Sequence, residues 1–292
     1  MPRWLSLSIL TVLFWGVWGF LSRVLGSALT GEETLVISTI GLIPIILWLA
    51  TRPSRKESVH RACVAWAALG GFVSNAGNLA LYQLMNAGEK AATTVPLTAM
   101  YPVLTILLAM VFLRERLSGC QWLGIFLSLV AIYCFNFTAG QAGLNRWLLL
   151  ALVPMALWGV SAFLQKLSTR QLSGECSTLW FLIGLLPIAV WFACTSGVRP
   201  GLGSKTLGLG LVSGFLLGLG NLTLLAAYAS QGKASIITPL SSLYPMVTVL
   251  MAVLFLRERV QGFEALGILL SLSAVVLLSF EKRASSATQP PA

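Results

Sequence analysis

The chain of 292 residues is 57% hydrophobic and only 10% charged, and its mean hydropathy is +0.86. Soluble globular proteins carry about 25% charged residues, so this composition excludes a soluble domain and predicts an integral membrane protein. Nineteen Lys and Arg stand against nine Glu and no Asp, and most of them lie in short breaks between apolar runs. That placement is typical of membrane topology and argues against a nucleic-acid partner.

Ten apolar segments predict ten membrane-spanning helices, because each is near the roughly 20 residues that a bilayer core requires. Helices are expected rather than open strands, since lipid offers no partner for backbone N–H and C=O groups. The first segment follows Arg3 and resembles a signal peptide, but its match to the sixth segment predicts that it is retained. The predicted spans are 4–25, 33–51, 62–85, 91–113, 118–137, 147–168, 176–195, 205–229, 234–256 and 261–280.

The second half of the chain repeats the first at a constant offset of 143 residues. Residues 101–116 and 244–259 share ten identical residues of sixteen, and no insertion separates the other matched positions. The duplication predicts a five-helix repeat over 1–140, a second over 144–283 and a disordered tail over 284–292. Because five is an odd number of spans, the two repeats are expected to be inverted relative to each other around a central cavity.

Positive residues are distributed unevenly between the two sides of these spans. Twelve Lys and Arg lie on the side of the N-terminus and seven on the opposite side, and the densest cluster falls between the second and third spans. Cytoplasmic loops carry the excess of positive charge, so both termini are predicted to be cytoplasmic. The expected location is the plasma membrane, and specifically a bacterial inner membrane.

Several duplicated motifs resemble those of a known family. Each repeat has Trp-Gly in its first helix, Lys-Ala at the start of its fourth, Tyr-Pro inside the fourth and Phe-Leu-Arg-Glu-Arg at its end. Over about residues 5–280 this set is similar to the EamA-type members of the drug/metabolite transporter superfamily. The resemblance implies a ten-helix basket whose cavity is formed by the first, third and fourth helices of each repeat. It does not identify a substrate.

Paired prolines interrupt the fourth and ninth predicted spans at equivalent positions. Proline removes a backbone donor and kinks a helix, and paired interruptions in two halves indicate a transport site. Neighbouring hydroxyls, among them Thr98 and Ser241, strengthen that reading. The alternative is that Pro, Ser and Thr only shape and link membrane helices. The predicted helix-kink residues are Pro96, Pro102, Pro239 and Pro245.

The candidate substrate-binding residues are amides, hydroxyls and aromatic side chains inside the helices that the resemblance assigns to the cavity. The third helix carries Asn75 and Gln83 in addition to its duplicated asparagine, which predicts polar recognition weighted toward the first repeat. The aromatic rings are suited to stacking on an aromatic or cationic group. Interhelical hydrogen bonds and simple packing are the alternatives. The candidates are Trp15, Trp18, Asn78, Thr98, Tyr101, Trp158, Asn221, Ser241 and Tyr244.

Three charged residues near helix ends are candidate gating residues. Arg23 and Lys166 are equivalent in the duplication, and Glu89 begins the fourth helix on the same side as Arg23. A pair between Arg23 and Glu89 is expected to close the outer mouth of the cavity. Alternatively, the cations extend to the membrane interface and Glu89 suits a helix N-terminus.

The sequence lacks the groups that an enzyme or a metal site requires. No Glu lies centrally in a span, His60 falls in a loop, and the five cysteines have no metal-ligand spacing. No catalytic residue, metal or cofactor is therefore expected. The leading hypothesis is a secondary transporter that moves an amino acid or similar amphipathic solute, in the direction of export, by alternating access. The alternative is a membrane enzyme or a lipid-handling protein, such as a scramblase or flippase, on a similar bundle.

Overall fold

A computed structural model of the chain describes residues 2–52, 60–114, 117–137, 146–229, 237 and 240–280. This part of the chain is mostly helical and contains no strand, which confirms the predicted all-α class. The predicted tail over 284–292 and Pro239 lie outside the described residues. The helices are α1 (Arg3–Gly26), α2 (Gly31–Gly41), α3 (Ile43–Ala50), α4 (Arg61–Asn86), α5 (Ala91–Thr98), α6 (Pro102–Leu113), α7 (Gly119–Phe137), α8 (Arg146–Ser168), α9 (Gly174–Gly184), α10 (Leu186–Thr195), α11 (Ser204–Ala229), α12 (Tyr244–Leu256) and α13 (Gly262–Leu278).

Single helices and consecutive pairs of helices form stretches that are long and apolar enough to cross a membrane. Among the described residues, seven helical stretches meet that condition, and three of them are the consecutive pairs α2–α3, α5–α6 and α9–α10. Three shorter apolar helices, over 119–135, 244–256 and 262–278, fall within the remaining predicted spans. The protein is therefore a helical membrane protein.

Prolines mark the breaks inside the interrupted stretches. Pro102 is the first residue of α6, after a turn at residues 99–101, and Pro245 is the second residue of α12. Pro96 lies within α5 without ending it. Two further breaks precede Pro44 in α3 and Pro187 in α10, and these positions also match at the offset of 143. Proline in the first turn of a helix costs no hydrogen bond, because the N–H groups there have no partner within the helix. Proline is therefore well suited to begin a new helix after each break.

The Phe-Leu-Arg-Glu-Arg motif ends a helix in the same way in both halves. Arg114 and Arg257 adopt left-handed backbone conformations, with φ of 55° and 54°. Their N–H groups donate to the carbonyls of Ala109 and Ala252, respectively. A left-handed residue just after the last turn is a common helix stop. In the second half this stop turns Glu258 away from α12 and toward α5.

The contacts between the two halves occur in matched pairs. The Thr248 hydroxyl donates to the Gly16 carbonyl at 2.8 Å, and the Thr105 hydroxyl donates to the Gly159 carbonyl at 2.9 Å. Thr105 and Thr248 are counterparts at the offset of 143, and so are Gly16 and Gly159. The two hydrogen bonds are therefore equivalent in the duplication. Likewise, the Trp15 ring packs directly on Gly220 and the Trp158 ring on Gly77. Reciprocal contacts of this kind are typical of a twofold-related interface.

Helix α4 contacts both halves and defines the two ends of the bundle. In order along α4, the contacts are Cys63 with Leu167, Gly70 with Ser161, Tyr82 with Trp18 and Met85 with Arg23. Partner numbers fall along α8 and rise along α1, so α4 runs antiparallel to α8 and parallel to α1. We name the opposite ends of the bundle the Cys63 end and the Met85 end.

Candidate functional site

A cavity of about 330 Å³ lies between the two halves. Residues of α1, α4, α8, α9 and α11 line it, together with Tyr101 and Tyr244 beside the proline breaks of α6 and α12. Within the described part of the chain, no Asp, Glu, Lys, Arg or His lines this cavity. A mainly apolar wall with a few polar groups is the usual form of a small-molecule site.

Seven of the nine predicted substrate-binding residues line this cavity, and two do not. Thr98 is fully buried and its hydroxyl donates to the Val95 carbonyl of its own helix at 3.0 Å. Ser241, its counterpart, is also buried and is not part of the lining. The lining members are Trp15, Trp18, Asn78, Tyr101, Trp158, Asn221 and Tyr244. Solute binding by these residues stays a prediction.

Other polar lining residues were not predicted from the sequence. Trp158 is followed, at spacings of three and four residues, by Ser161 and Gln165 on α8 and by Thr169 just after its end. On α4, Ser74 precedes Asn78 by four residues. Such spacings put residues on one face of a helix, so helical periodicity from the predicted residues is the signal that would have found them.

Aromatic rings form much of the wall and contact one another. The Trp158 ring lies 5.9 Å from the Trp18 ring and 6.5 Å from the Tyr101 ring, while the Trp15 and Tyr244 rings are 5.8 Å apart. The two tryptophan–tyrosine pairs meet edge to face, at 84° and 78°, which is a favoured aromatic geometry. The rings therefore pack against each other and also border the cavity.

The extra amides of the first repeat are used between helices. Asn75 donates to the Leu185 carbonyl at 2.6 Å, and Gln83 donates to the Glu32 carboxylate at 3.1 Å. Neither side chain lines the cavity. The predicted weighting of polar recognition toward the first repeat therefore gains no support from these two residues.

A carboxylate of the second half caps a helix of the first half at the Met85 end. The Glu258 carboxylate accepts hydrogen bonds from the N–H groups of Ala91 at 3.0 Å and Ala92 at 2.8 Å, at the start of α5. The Arg23 Nε atom lies 3.6 Å from Glu258 Oε1. A carboxylate suits a helix N-terminus, because free N–H groups and the helix dipole both favour it. Glu258 therefore joins α1, α5 and the end of α12.

A second charged contact joins the halves at the same end. The Lys90 ammonium group lies 2.8 Å and 3.0 Å from the two Glu264 carboxylate oxygens. It also donates to the Arg259 carbonyl at 3.0 Å. Lys90 belongs to the first repeat and both partners belong to the second, so this contact fastens the two repeats together.

The ion-pair partner of Arg23 differs from the one expected. The structure pairs Arg23 with Glu258, and within the described residues no Arg23–Glu89 ion pair forms. Burial raises the pKa of the Glu89 carboxyl, while the nearby charges of Arg23 and Lys90 lower it. The two α5 N–H groups hold the Glu258 carboxylate within reach of Arg23. Glu89 precedes α5 and accepts no such bond.

The cavity reaches the protein surface at the Cys63 end. Gln165, the exposed Thr169 and Gly174 line it where α8 ends and α9 begins. Lys166, the third predicted gating residue, lies beside them near the end of α8 but is not part of the lining. The cavity is thus accessible at one end of the bundle, while charged contacts join the halves at the other.

Comparison with known proteins agrees with this architecture. The model of the EamA-like transporter family matches residues 2–137 and 145–280. An uncharacterized protein of Methanocaldococcus jannaschii is 40% identical over 75 residues, which are 26% of this chain and 54% of that relative, so the match spans about half of its length. A solved crystal structure of a protein shares the fold, with a TM-score of 0.62, 16% identity and coverage of 93% of this chain and 94% of that one. Because the family model matches both repeats, the chain belongs to the EamA-like transporter family.

Proposed function

We propose that the protein is a secondary transporter that carries a small organic solute across the membrane by alternating access. One observation carries this proposal: a cavity between the two halves reaches the surface at the Cys63 end, whereas Glu258 and Lys90 join the halves at the Met85 end. A carrier needs such an arrangement, because one side must be closed while the other admits solute. An enzyme would instead need acid, base or nucleophilic groups around its cavity.

The architecture that fits a carrier is ten membrane-spanning helices in two inverted repeats. Two observations support inversion. The threonine bonds between halves are reciprocal, and α4 runs parallel to α1 but antiparallel to α8, so the first helices of the two repeats have opposite directions. In this architecture the three shorter apolar helices also count as spans, which gives five spans in each half.

The charge distribution supports one orientation of the protein in the membrane. With both termini in the cytoplasm of a bacterial cell, the Cys63 end faces the cytoplasm and the Met85 end faces outward. The cavity then loads from the cytoplasm, which agrees with export. In a background without the five native cysteines, cysteines introduced at the exposed residues Ser27 and Gln171 test this orientation. A membrane-impermeant maleimide added to intact cells should label Ser27→Cys and spare Gln171→Cys, and the reverse pattern would overturn the orientation.

The cavity chemistry favours an amino acid or a similar amphipathic solute. Aromatic walls suit an apolar side chain, and an amide such as that of Asn221 suits a polar group. Because no charged side chain is among the described lining residues, the solute does not have to carry a particular net charge.

Solute flux in proteoliposomes tests the proposal. We expect saturable uptake of at least one of the proteinogenic amino acids, measured with and without a pH gradient. Trp158→Leu should reduce that uptake, because Trp158 lines the cavity. Phe126→Leu is the matched control, since Phe126 is an exposed aromatic residue on the outer surface of α7. No uptake above protein-free liposomes, combined with transbilayer movement of a fluorescent phospholipid, would favour the lipid-handling alternative instead.

A further inference from the structure

We propose that the side-chain carbonyl oxygens of Asn221 and Gln165 anchor the solute by accepting hydrogen bonds from its donor group, an N–H, O–H or ammonium group. In this assignment the duplicated Asn78 is a positioning residue that holds Trp158. The inference rests on the proposed carrier function and assigns polar recognition to the second half of the chain.

Asn78 is held by protein groups on both sides of its amide. Its Oδ1 atom accepts from the Trp158 indole N–H at 3.2 Å, and its Nδ2 atom donates to Asn75 Oδ1 at 3.2 Å. Asn75 in turn donates to the Leu185 carbonyl of the second half. This chain of hydrogen bonds fixes the amide and the indole, so the Asn78 oxygen is already engaged.

Asn221, the counterpart of Asn78, lacks such a chain. The position equivalent to Asn75 is Gly218, which has no side chain to bond. The Asn221 Nδ2 atom therefore donates to the Leu217 carbonyl of its own helix at 2.9 Å, and the Trp15 indole donates to the same carbonyl at 3.4 Å. Within the described residues the Asn221 Oδ1 atom accepts no hydrogen bond, and the half-buried side chain lines the cavity.

Gln165 lines the same cavity and carries a second acceptor, its Oε1 atom, which has almost no exposed surface. Its Nε2 atom donates to the Ser177 hydroxyl at 3.0 Å, whereas its buried Oε1 atom has no partner among the described residues. A buried acceptor without a partner is costly, and a donor that reaches it recovers that cost. The equivalent position in the first half is Ser22, whose hydroxyl donates to the Trp18 carbonyl of its own helix.

These two oxygens determine which hydrogen-bonding groups the solute must carry. Both are acceptors, and no Lys, Arg or His is among the described lining residues to bind a carboxylate. A donor group is therefore required of the solute, while a carboxylate is dispensable. For an amino acid, the ammonium group is the recognised part, and the aromatic wall takes the apolar side chain.

The first arm of the test needs no solute and compares the two asparagines by thermal unfolding in detergent. Asn78→Ala removes one of the two acceptors of the Trp158 indole N–H, which keeps the Ser74 carbonyl at 3.2 Å, and it leaves the buried Asn75 Oδ1 atom without its donor. We therefore expect the Tm to fall by about 2–4 °C. Asn221→Ala removes one bond within a single helix, and its Tm should stay within about 1 °C of the unmodified protein. Equal losses of Tm would overturn the proposed difference between the two residues, whether or not the protein transports.

The second arm measures binding of three probes with one apolar body: L-leucine, 3-methylbutylamine, which keeps only the amine, and 4-methylpentanoate, which keeps only the carboxylate. We expect the first two to bind and the third to bind at least about tenfold more weakly. Asn221→Ala should raise the Kd of the two amines about three- to tenfold and leave that of the acid unchanged. Asn78→Ala and the matched control Leu224→Ala, at an apolar lining residue, should weaken all three probes by one common factor.

The outcomes separate this inference from the proposed function. If the acid binds as well as the amine, or if Asn221→Ala weakens all three probes equally, the anchoring role is overturned and the carrier proposal stands. If none of the three probes binds the unmodified protein, the amino-acid class of the proposed function falls together with the anchoring role, and the comparison of Tm values still decides whether Asn78 and Asn221 differ.

Discussion

The Met85 end and the Cys63 end of the cavity are built from equivalent positions of the two halves, yet they differ in charge. Glu264 at the Met85 end corresponds to Gln121 in the first half. Both side chains accept from a backbone N–H three residues earlier, of Gln261 at 2.8 Å and of Ser118 at 3.0 Å. Only Glu264 also binds Lys90 as an ion pair. The duplicated scaffold therefore keeps its helix caps, while Glu264 adds an ion pair between the halves at the Met85 end.

The largest expected effect is that of Glu258→Gln, which removes the charge that joins three elements at the Met85 end. The variant loses the ion pair with Arg23 and part of the cap on α5. Because hydrogen bonds to a charged group are about twice as strong as neutral ones, we expect opening of this end to become about tenfold more frequent. The rate of maleimide labelling of Ala92→Cys, a residue with no exposed surface, measures that opening in a background without the five native cysteines.

Glu32→Gln is the matched control for that measurement. Glu32 is also a carboxylate at this end of the bundle, but its partner Gln83 belongs to the same half. Removing its charge should leave the labelling rate of Ala92→Cys unchanged. If Glu32→Gln accelerates labelling as much as Glu258→Gln, general loss of negative charge is responsible, and the contact between halves is not.

Glu264→Gln replaces the carboxylate at the Met85 end by glutamine, the residue type of its counterpart Gln121 at the Cys63 end. An amide at this position still reaches the Gln261 N–H group but no longer pairs with Lys90. Partly exposed ion pairs contribute about 0.5–1 kcal/mol, so labelling of Ala92→Cys should accelerate about two- to fivefold. A rate that matches the unmodified protein would show that this carboxylate is not the source of the difference between the ends.

The fold and much of the candidate site could be predicted from the sequence, whereas the contacts between repeats could not. Hydropathy and the duplication suffice for the helices, because every span has to satisfy its own backbone in lipid. Seven predicted residues line the cavity, since the motifs identify which helices surround it. Gln165 was missed because a polar residue near the end of a span looks like an interfacial one. The contact between Arg23 and Glu258 was not predicted, because the stop at Arg257, which carries Glu258 to α5, depends on how the two halves meet.

The matched threonine bonds test whether the two halves differ only in their charges. Thr105 and Thr248 each donate to a glycine carbonyl of the other half, at 2.9 Å and 2.8 Å. Interhelical hydrogen bonds in membrane proteins contribute about 0.6 kcal/mol on average, so Thr105→Val and Thr248→Val should each lower the free energy of unfolding by about that amount. Denaturation in mixed micelles with an increasing fraction of SDS measures this free energy of unfolding. Clearly unequal losses would mean that the asymmetry extends into the helix packing.

Glu89→Gln has the smallest expected effect, and its sign separates the two possible partners of Arg23. Burial raises the pKa of the Glu89 carboxyl, and the charges of Arg23 and Lys90 oppose that shift only in part. The protonated carboxyl is thus favoured when the Met85 end is closed, relative to a carboxyl in water. The closed state of the Met85 end is therefore stabilised as the pH falls through the raised pKa of Glu89. That stabilisation is lost as the pH rises above this pKa.

Glu89→Gln imitates the protonated form, so it should slow labelling of Ala92→Cys at neutral pH and flatten its pH dependence. The change should be smaller than that of Glu264→Gln, because Glu89 is partly exposed and solvent screens its charge. Labelling between about pH 5 and pH 8, divided by the rate at the exposed Ser27→Cys, corrects for the ionisation of the thiol itself. Should Glu89→Gln accelerate labelling as Glu258→Gln does, Glu89 would hold this end closed by attracting Arg23, as the sequence first indicated, and Glu258 would share that role.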